Sequence, residues 1–246
     1  MVDVKADARS AQLEEDPAEE ARPVTKSARR RFLGIATLVA FPVLLYMALV
    51  FAPEDAAQGP AQRIFYIHVP SAWIGFLAFF VVFVASIAFL ATGKRRWDDV
   101  ASASAAVGVV FTTGVLITGP LWGRPVWGVY WTWDPRLTSF LMLWLIYLSY
   151  LVLRGYVPEP ARRARYSAVL GIVGFLDVPI VYLSARWWRS EHPTQFVVEG
   201  GHLPAQMLVT LLVGVATFTF FYLYLMAVRV RVGRLRTREE EAEVAL

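Results

Sequence analysis

Cysteine is absent from the sequence, and its absence removes disulfide frameworks, thiol redox centres, cysteine metal sites and the C-x-x-C-H attachment motif of a c-type cytochrome. Histidine is scarce, with three in 246 residues. Charged residues make up only 18% of the chain against 57% apolar, whereas soluble domains carry about 25% and about 45–50%. There is no G-x-x-x-x-G-K-[ST] phosphate loop, so any ATP hydrolysis belongs to a partner. A secretory signal peptide is not expected either: the first apolar run follows Arg29-Arg30-Arg31 and is long enough to span a membrane.

What the chain does have is apolar residues in long blocks. A helix rising 1.5 Å per residue needs roughly 20 apolar residues to cross a ~30 Å hydrocarbon core. Six segments qualify: Phe32–Ala52, Trp73–Thr92, Ala101–Leu121, Leu137–Leu153, Tyr166–Ala185 and Ala205–Val228. The predicted fold class is an all-α membrane protein, a six-helix transmembrane bundle, because an isolated strand cannot satisfy its backbone in lipid. Pro42, Pro120 and Pro179 fall within or at the ends of these spans, where membrane helices tolerate them. The organisation that follows is a disordered polar tail over 1–31, a transmembrane domain over 32–228 with an outer loop at 122–138, and a second tail over 229–246.

Net charge is +4, but the basic residues sit beside the apolar runs, so they read as topology and not as a nucleic-acid surface. Arg29 to Arg31, Lys94 to Arg96, Arg154, Arg162, Arg163, Arg165 and the Arg229–Arg238 cluster mark one side. The other side carries only Arg63, Arg124, Arg136, Arg186 and Arg189. The positive-inside rule makes the first side cytoplasmic, with both termini inside and outer loops at Pro53–Ala72, Trp122–Arg136 and Arg186–Pro204.

The chemistry collects in those outer loops. His68, His192 and His202 lie there or at their margins, with seven of nine tryptophans: Trp73, Trp122, Trp127, Trp131, Trp133, Trp187 and Trp188. Trp favours membrane interfaces, but a belt would populate both sides, and this set is one-sided. Trp127 and Trp131, four apart, would share one face of a short helix. Gly123 and Gly128 would let a flat ligand or another backbone approach, and large aromatic planes suit a flat, mostly apolar ring system. Asp134-Pro135 before an apolar run reads as a helix N-cap with proline at the first helical position. His68 and His192, on separate loops without cysteine or a carboxylate cluster, suit the axial positions of haem iron better than zinc, which takes three or four protein ligands. The glycine-rich context of His202 reads mainly as loop. Arg124 and Arg136 bracket the tryptophans and could pair with propionates, and Arg63, Arg186 and Arg189 are weaker candidates; lipid phosphate is the competing partner for each. Asp177, inside the fifth span, is either protonated or hydrogen-bonded to groups such as Thr112 or Thr113.

Trp122-Gly123-x-Pro125-x-Trp127-Gly128-x-x-Trp131-x-Trp133-Asp134-x-Arg136-Leu137-Thr138 resembles the tryptophan-rich "WWD" signature of haem-handling proteins. With Tyr66-Ile67-His68-Val69-Pro70, the Trp187-Trp188 pair and His192, the chain from about Phe32 to Val228 resembles the CcmC family of bacterial c-type cytochrome maturation. The resemblance implies a haem-binding assembly factor without a catalytic residue. It would hold b-type, non-covalent haem on the periplasmic face of the inner membrane, with His68 and His192 as axial ligands and Trp122, Trp127, Trp131, Trp133 and Asp134 as platform. It further implies delivery to the haem chaperone CcmE, alongside the ABC-type subunits CcmA and CcmB and the small protein CcmD. Two other readings compete: a membrane electron-transfer enzyme, which would place its histidine pairs within the spans, and a small-solute transporter using Asp177 and Pro179 in a broken helix.

Overall fold

The computed structural model describes residues 22–188 and 203–244. Seven α-helices account for nearly all of them: α1 (Arg22–Tyr46), α2 (Phe65–Thr92), α3 (Arg95–Trp127), α4 (Pro135–Tyr156), α5 (Pro160–Phe175), α6 (Asp177–Trp187) and α7 (Ala205–Val244). Among the described residues six helical stretches are long and apolar enough to cross a membrane, with α5 and α6 together forming the fifth. The all-helical, six-span architecture expected from the apolar blocks is what the chain adopts.

Local chemistry explains the boundaries. Gly93, at φ +67°, closes α2 by donating its N–H to Phe89 O, a left-handed cap that costs glycine nothing. Pro160 opens α5 and Pro135 opens α4, at the position where the missing N–H is an orphan in any case. The fifth span breaks at Leu176. Pro179, three residues on, has no N–H to return to Phe175, so the helical ladder cannot run through unbroken.

Helical structure reaches further than apolarity alone suggests. The second span starts with a 3₁₀ turn at Pro60–Ile64, and α2 begins at Phe65, so His68 stands on a helix and not in the loop expected over Pro53–Ala72. Similarly, α3 continues through Leu121 to Trp127. The first helix starts at Arg22 and the last runs to Val244, inside the stretches assigned to the two tails.

The bundle is built around α2 and α3, which run antiparallel in close contact. His68 faces Thr118, Gly75 faces Thr112 and Phe79 faces Gly108, so one helix climbs as the other descends. Helices α1 and α7 pack on one flank of this pair, and α4, α5 and α6 on the other. On the α4 flank the Phe79 and Tyr147 rings stack at 3.6 Å. On the α1–α7 flank Leu44, Ile74, Phe111, Phe218 and Tyr222 form a second core. Leu33, Thr37 and Leu44 make the buried stripe of α1, continued by Ala48 in the turn that follows, while Phe32, Leu38 and Val39 on the other side of α1 are exposed. Such outward-facing apolar side chains belong in lipid.

A third cluster, Ala48, Ala52, Phe65, Tyr66, Met207 and Leu211, closes one end of the bundle, with Trp122 packed against it. Here α1 finishes in a π-helical turn, Met47–Phe51, and Arg63 donates to Ala48 O at 2.5 Å. That bond fills a carbonyl the widened turn leaves over. Lys94 to Arg96, Arg154 and the start of α5 lie at the opposite end.

Candidate functional site

His68 occupies the first turn of α2 and is buried. Three residues on the last turns of α3 hold its ring. Its Nδ1 lies 2.9 Å from Thr118 Oγ1. A side chain at Gly119 would come within 3.3 Å of its Cε1. The Trp122 indole meets it edge-on, with ring centres 5.6 Å apart. Thr118 and Trp122 are four residues apart and so share one face of α3. Trp122 is itself fixed: its Nε1 donates to Gln58 Oε1 at 2.9 Å, and its ring meets Phe65 edge-on at 5.9 Å.

Beyond Trp122 the helix stops. Gly128 takes φ +80° and returns its N–H to Arg124 O, which ends α3 at Trp127 and leaves 128–134 without helical structure. Trp127 and Trp131 therefore do not share a helical face, contrary to expectation: the left-handed glycine intervenes. At Gly123 the space a side chain would take is filled from within the protein. The six-membered ring of Trp127 folds back over it, and a Cβ on Gly123 would lie 2.8 Å from Trp127 Cε3. The Arg124 guanidinium donates to Gly128 O and covers the Tyr130 ring at 5.6 Å, so this arginine braces the turn. Trp131 and Trp133 meet edge-to-face at 5.7 Å. Asp134 is the N-cap that its proline neighbour predicts, with Oδ1 accepting from Leu137 N–H at 2.9 Å.

A partly open cleft lies here, lined by Gln58, His68, Gly119, Pro120, Trp122, Gly123, Val126, Trp127, Tyr130, Trp131 and Leu137. Its walls are mostly aromatic and aliphatic, with one imidazole and the Gln58 amide. Trp131 lines it, while its Nε1 is buried and has no hydrogen-bond partner among the described residues, and the buried Oγ1 atoms of Thr132 and Thr138 nearby in the chain are likewise unmatched. Buried polar groups are normally satisfied, so these atoms await acceptors or donors from outside the described set. Among the described residues no three His, Asp or Glu side chains converge. The cleft thus fits a planar, largely apolar ligand better than a bare cation.

Not every expected residue joins this cleft. Trp133, Trp187 and Trp188 are exposed, and the last two pair edge-to-face at 5.8 Å at the end of α6. Arg136 is partly buried on the first turn of α4, and Arg63 is engaged with Ala48 O. His192, His202 and Arg189 lie outside the described residues. Asp177 finds neither threonine: Thr112 donates to Gly108 O, and Thr113 donates to Val109 O while accepting from Trp144 Nε1. Its Oδ2 is buried and finds no hydrogen bond among the described residues. Gln58, Thr118, Gly119 and Tyr130 are site residues that composition and spacing did not single out. For Thr118 the signal was present, one helical turn ahead of Trp122.

The family described as heme exporter protein C, CcmC, matches residues 18–245. The chain belongs to the CcmC family. A heme exporter protein C of Bradyrhizobium diazoefficiens is 40% identical over 189 residues, spanning 76% of this chain and 72% of the relative. One from Escherichia coli is 34% identical over 161 residues, 65% of this chain and 66% of that protein. A putative cytochrome c biosynthesis ccmC-like mitochondrial protein of Marchantia polymorpha is 33% identical over 175 residues, 71% of this chain and 74% of its own length. In this CcmC-family chain, His68 and the segment that begins at Trp122 line one cleft.

Proposed function

We propose that this chain holds haem as cargo, non-covalently, at the His68 cleft, and presents it for c-type cytochrome maturation. The observation that carries the reading is the convergence of one oriented imidazole with a tryptophan-lined cleft. Haem iron takes histidine as an axial ligand, and the porphyrin plane gains by stacking on indoles. His192 is the second axial ligand in this reading, and Trp187 and Trp188 lead the chain towards it.

The same reading sets the protein in the bacterial inner membrane with the cleft facing the periplasm. The basic residues at the Lys94 and Arg154 end support that orientation. Haem then passes to the chaperone CcmE, with CcmA and CcmB supplying ATP hydrolysis and CcmD completing the assembly. The protein itself is a transfer factor and not an enzyme.

The test is direct. Full-length protein purified from cells with ample haem should show a haem absorption spectrum, and His68→Ala and His192→Ala should each lower haem content. Colourless wild-type protein, or full occupancy in both variants, overturns the reading and favours a transporter built on Asp177. Because the sequence has no cysteine, single introduced cysteines report sidedness cleanly. Ala56→Cys should react with an impermeant reagent added outside spheroplasts, and Pro158→Cys should not.

A further inference from the structure

We infer that Thr118 is a positioning residue that fixes the tautomer of His68, holding the proton on Nδ1 and presenting Nε2 as the iron-binding nitrogen. The inference rests on the haem-binding reading above and assigns a role to a residue outside the tryptophan signature.

The argument is a proton count. A threonine hydroxyl has one proton to give and two lone pairs to receive with. Thr118 Oγ1 lies 2.8 Å from Gly114 O, one turn back on α3, and 2.9 Å from His68 Nδ1. Gly114 O can only accept. Back-bonding to the i−4 carbonyl is the habitual arrangement of threonine within a helix, and it uses the only hydroxyl proton. His68 Nδ1 must then donate to Thr118 for both contacts to be hydrogen bonds. Were Nδ1 the acceptor, the hydroxyl would turn away from Gly114 and one of the two bonds would be lost. In a neutral imidazole with hydrogen on Nδ1, the lone pair sits on Nε2.

Three further features keep the ring where this matters. Gly119 lets His68 Cε1 approach α3 with no intervening Cβ. Trp122 closes the ring's side, and Gln58 anchors Trp122. Burial of His68 keeps water from competing for Nδ1. The chain Gly114, Thr118, His68 therefore resembles the outer-shell partners that set the ring orientation and basicity of metal-binding histidines.

The experiment compares wild type, Thr118→Val and Thr118→Ser as full chains in nanodiscs. Before haem is added, ¹⁵N NMR of histidine-labelled protein, with His68 assigned by its loss in His68→Ala, should show Nδ1 protonated in wild type and in Thr118→Ser. Thr118→Val, isosteric but unable to accept, should give a mixture. On titration with ferric protoporphyrin, Thr118→Val should bind about tenfold or more weakly, in the range seen when outer-shell partners are removed, with a raised reduction potential and an altered visible spectrum. Thr118→Ser should restore all three. An Nε2-protonated wild type, or a valine variant with wild-type affinity, spectrum and potential, overturns the inference while haem binding stands. Wild-type protein that takes up no haem overturns the parent reading and this one with it.

Discussion

Gln58 and Trp122 stand 64 residues apart in the chain and 2.9 Å apart in space, the indole N–H of one donating to the amide oxygen of the other. The bond ties the connection between α1 and α2 to the end of α3, and Trp122 in turn bounds His68. A buried N–H deprived of its acceptor costs about 1–3 kcal/mol. Gln58→Leu should therefore lower the thermal midpoint by an amount equivalent to about 1 kcal/mol, since Trp122 is only partly buried, and should reduce haem retention. Gln58→Glu keeps an acceptor and should do neither. Equal behaviour of the two variants in a melting experiment would show that the contact has no energetic weight.

Gly123 supports a sharper expectation because the space above it is taken. A Cβ there would lie 2.8 Å from Trp127 Cε3 and 3.0 Å from Cζ3, closer than van der Waals contact permits, so the Trp127 ring must move. Gly123→Ala should weaken haem binding several-fold and shift the tryptophan emission. The melting midpoint should change little, because the large core clusters lie elsewhere along the helices. A variant with unaltered emission and unaltered affinity would mean that Trp127 has room to spare.

How much of this was legible in the sequence follows from the kind of signal each feature leaves. Six spans were readable because lipid demands long apolar runs, and Asp134-Pro135 was readable because capping is local chemistry. Apolarity does not mark where a helix stops, however. Pro60 starts the second span well ahead of Trp73, and Gly128 ends the third nearly two turns beyond Leu121; both are backbone effects. Gly123 offered a glycine but not the reason for it, since only the folded ring of Trp127 shows what fills the gap. The pairings of Gln58 with Trp122 and of Thr118 with His68 join distant segments; the spacing of Thr118 and Trp122 marks a shared face of one helix but not the partner that meets it. Asp177 shows the opposite failure: its neighbours on paper, Thr112 and Thr113, spend their hydroxyls on their own helix.

The capping role of Asp134 makes a prediction independent of haem. Its Oδ1 accepts from Leu137 N–H at 2.9 Å, and replacing such a cap by alanine costs about 1 kcal/mol. Asp134→Ala should be destabilised by roughly that amount, and Asp134→Asn, which also caps well, should be close to wild type. If asparagine restores stability but not haem occupancy, the carboxylate charge has a second task at the site. If neither variant loses stability, the cap is dispensable.

Asp98 and Arg154 test whether the two ends of the bundle are energetically separable. They form a bidentate pair, with bonds of 2.5 and 2.9 Å, and their side chains are 10% and 15% exposed. Asp98 lies on the first turn of α3, about 30 Å from Thr118 along that helix at 1.5 Å per residue. Removing one partner of a buried pair leaves an uncompensated charge and costs ~3–5 kcal/mol, whereas removing both often costs little. Asp98→Leu should thus lower the melting midpoint strongly, and Asp98→Leu with Arg154→Met should regain most of the loss. Protein of either kind that remains folded should keep the wild-type haem spectrum, because neither change reaches the His68 cleft. A double variant no more stable than the single one would show that shape, not charge pairing, holds α3 against α4. A changed spectrum in folded double variant would show that the ends communicate through α3.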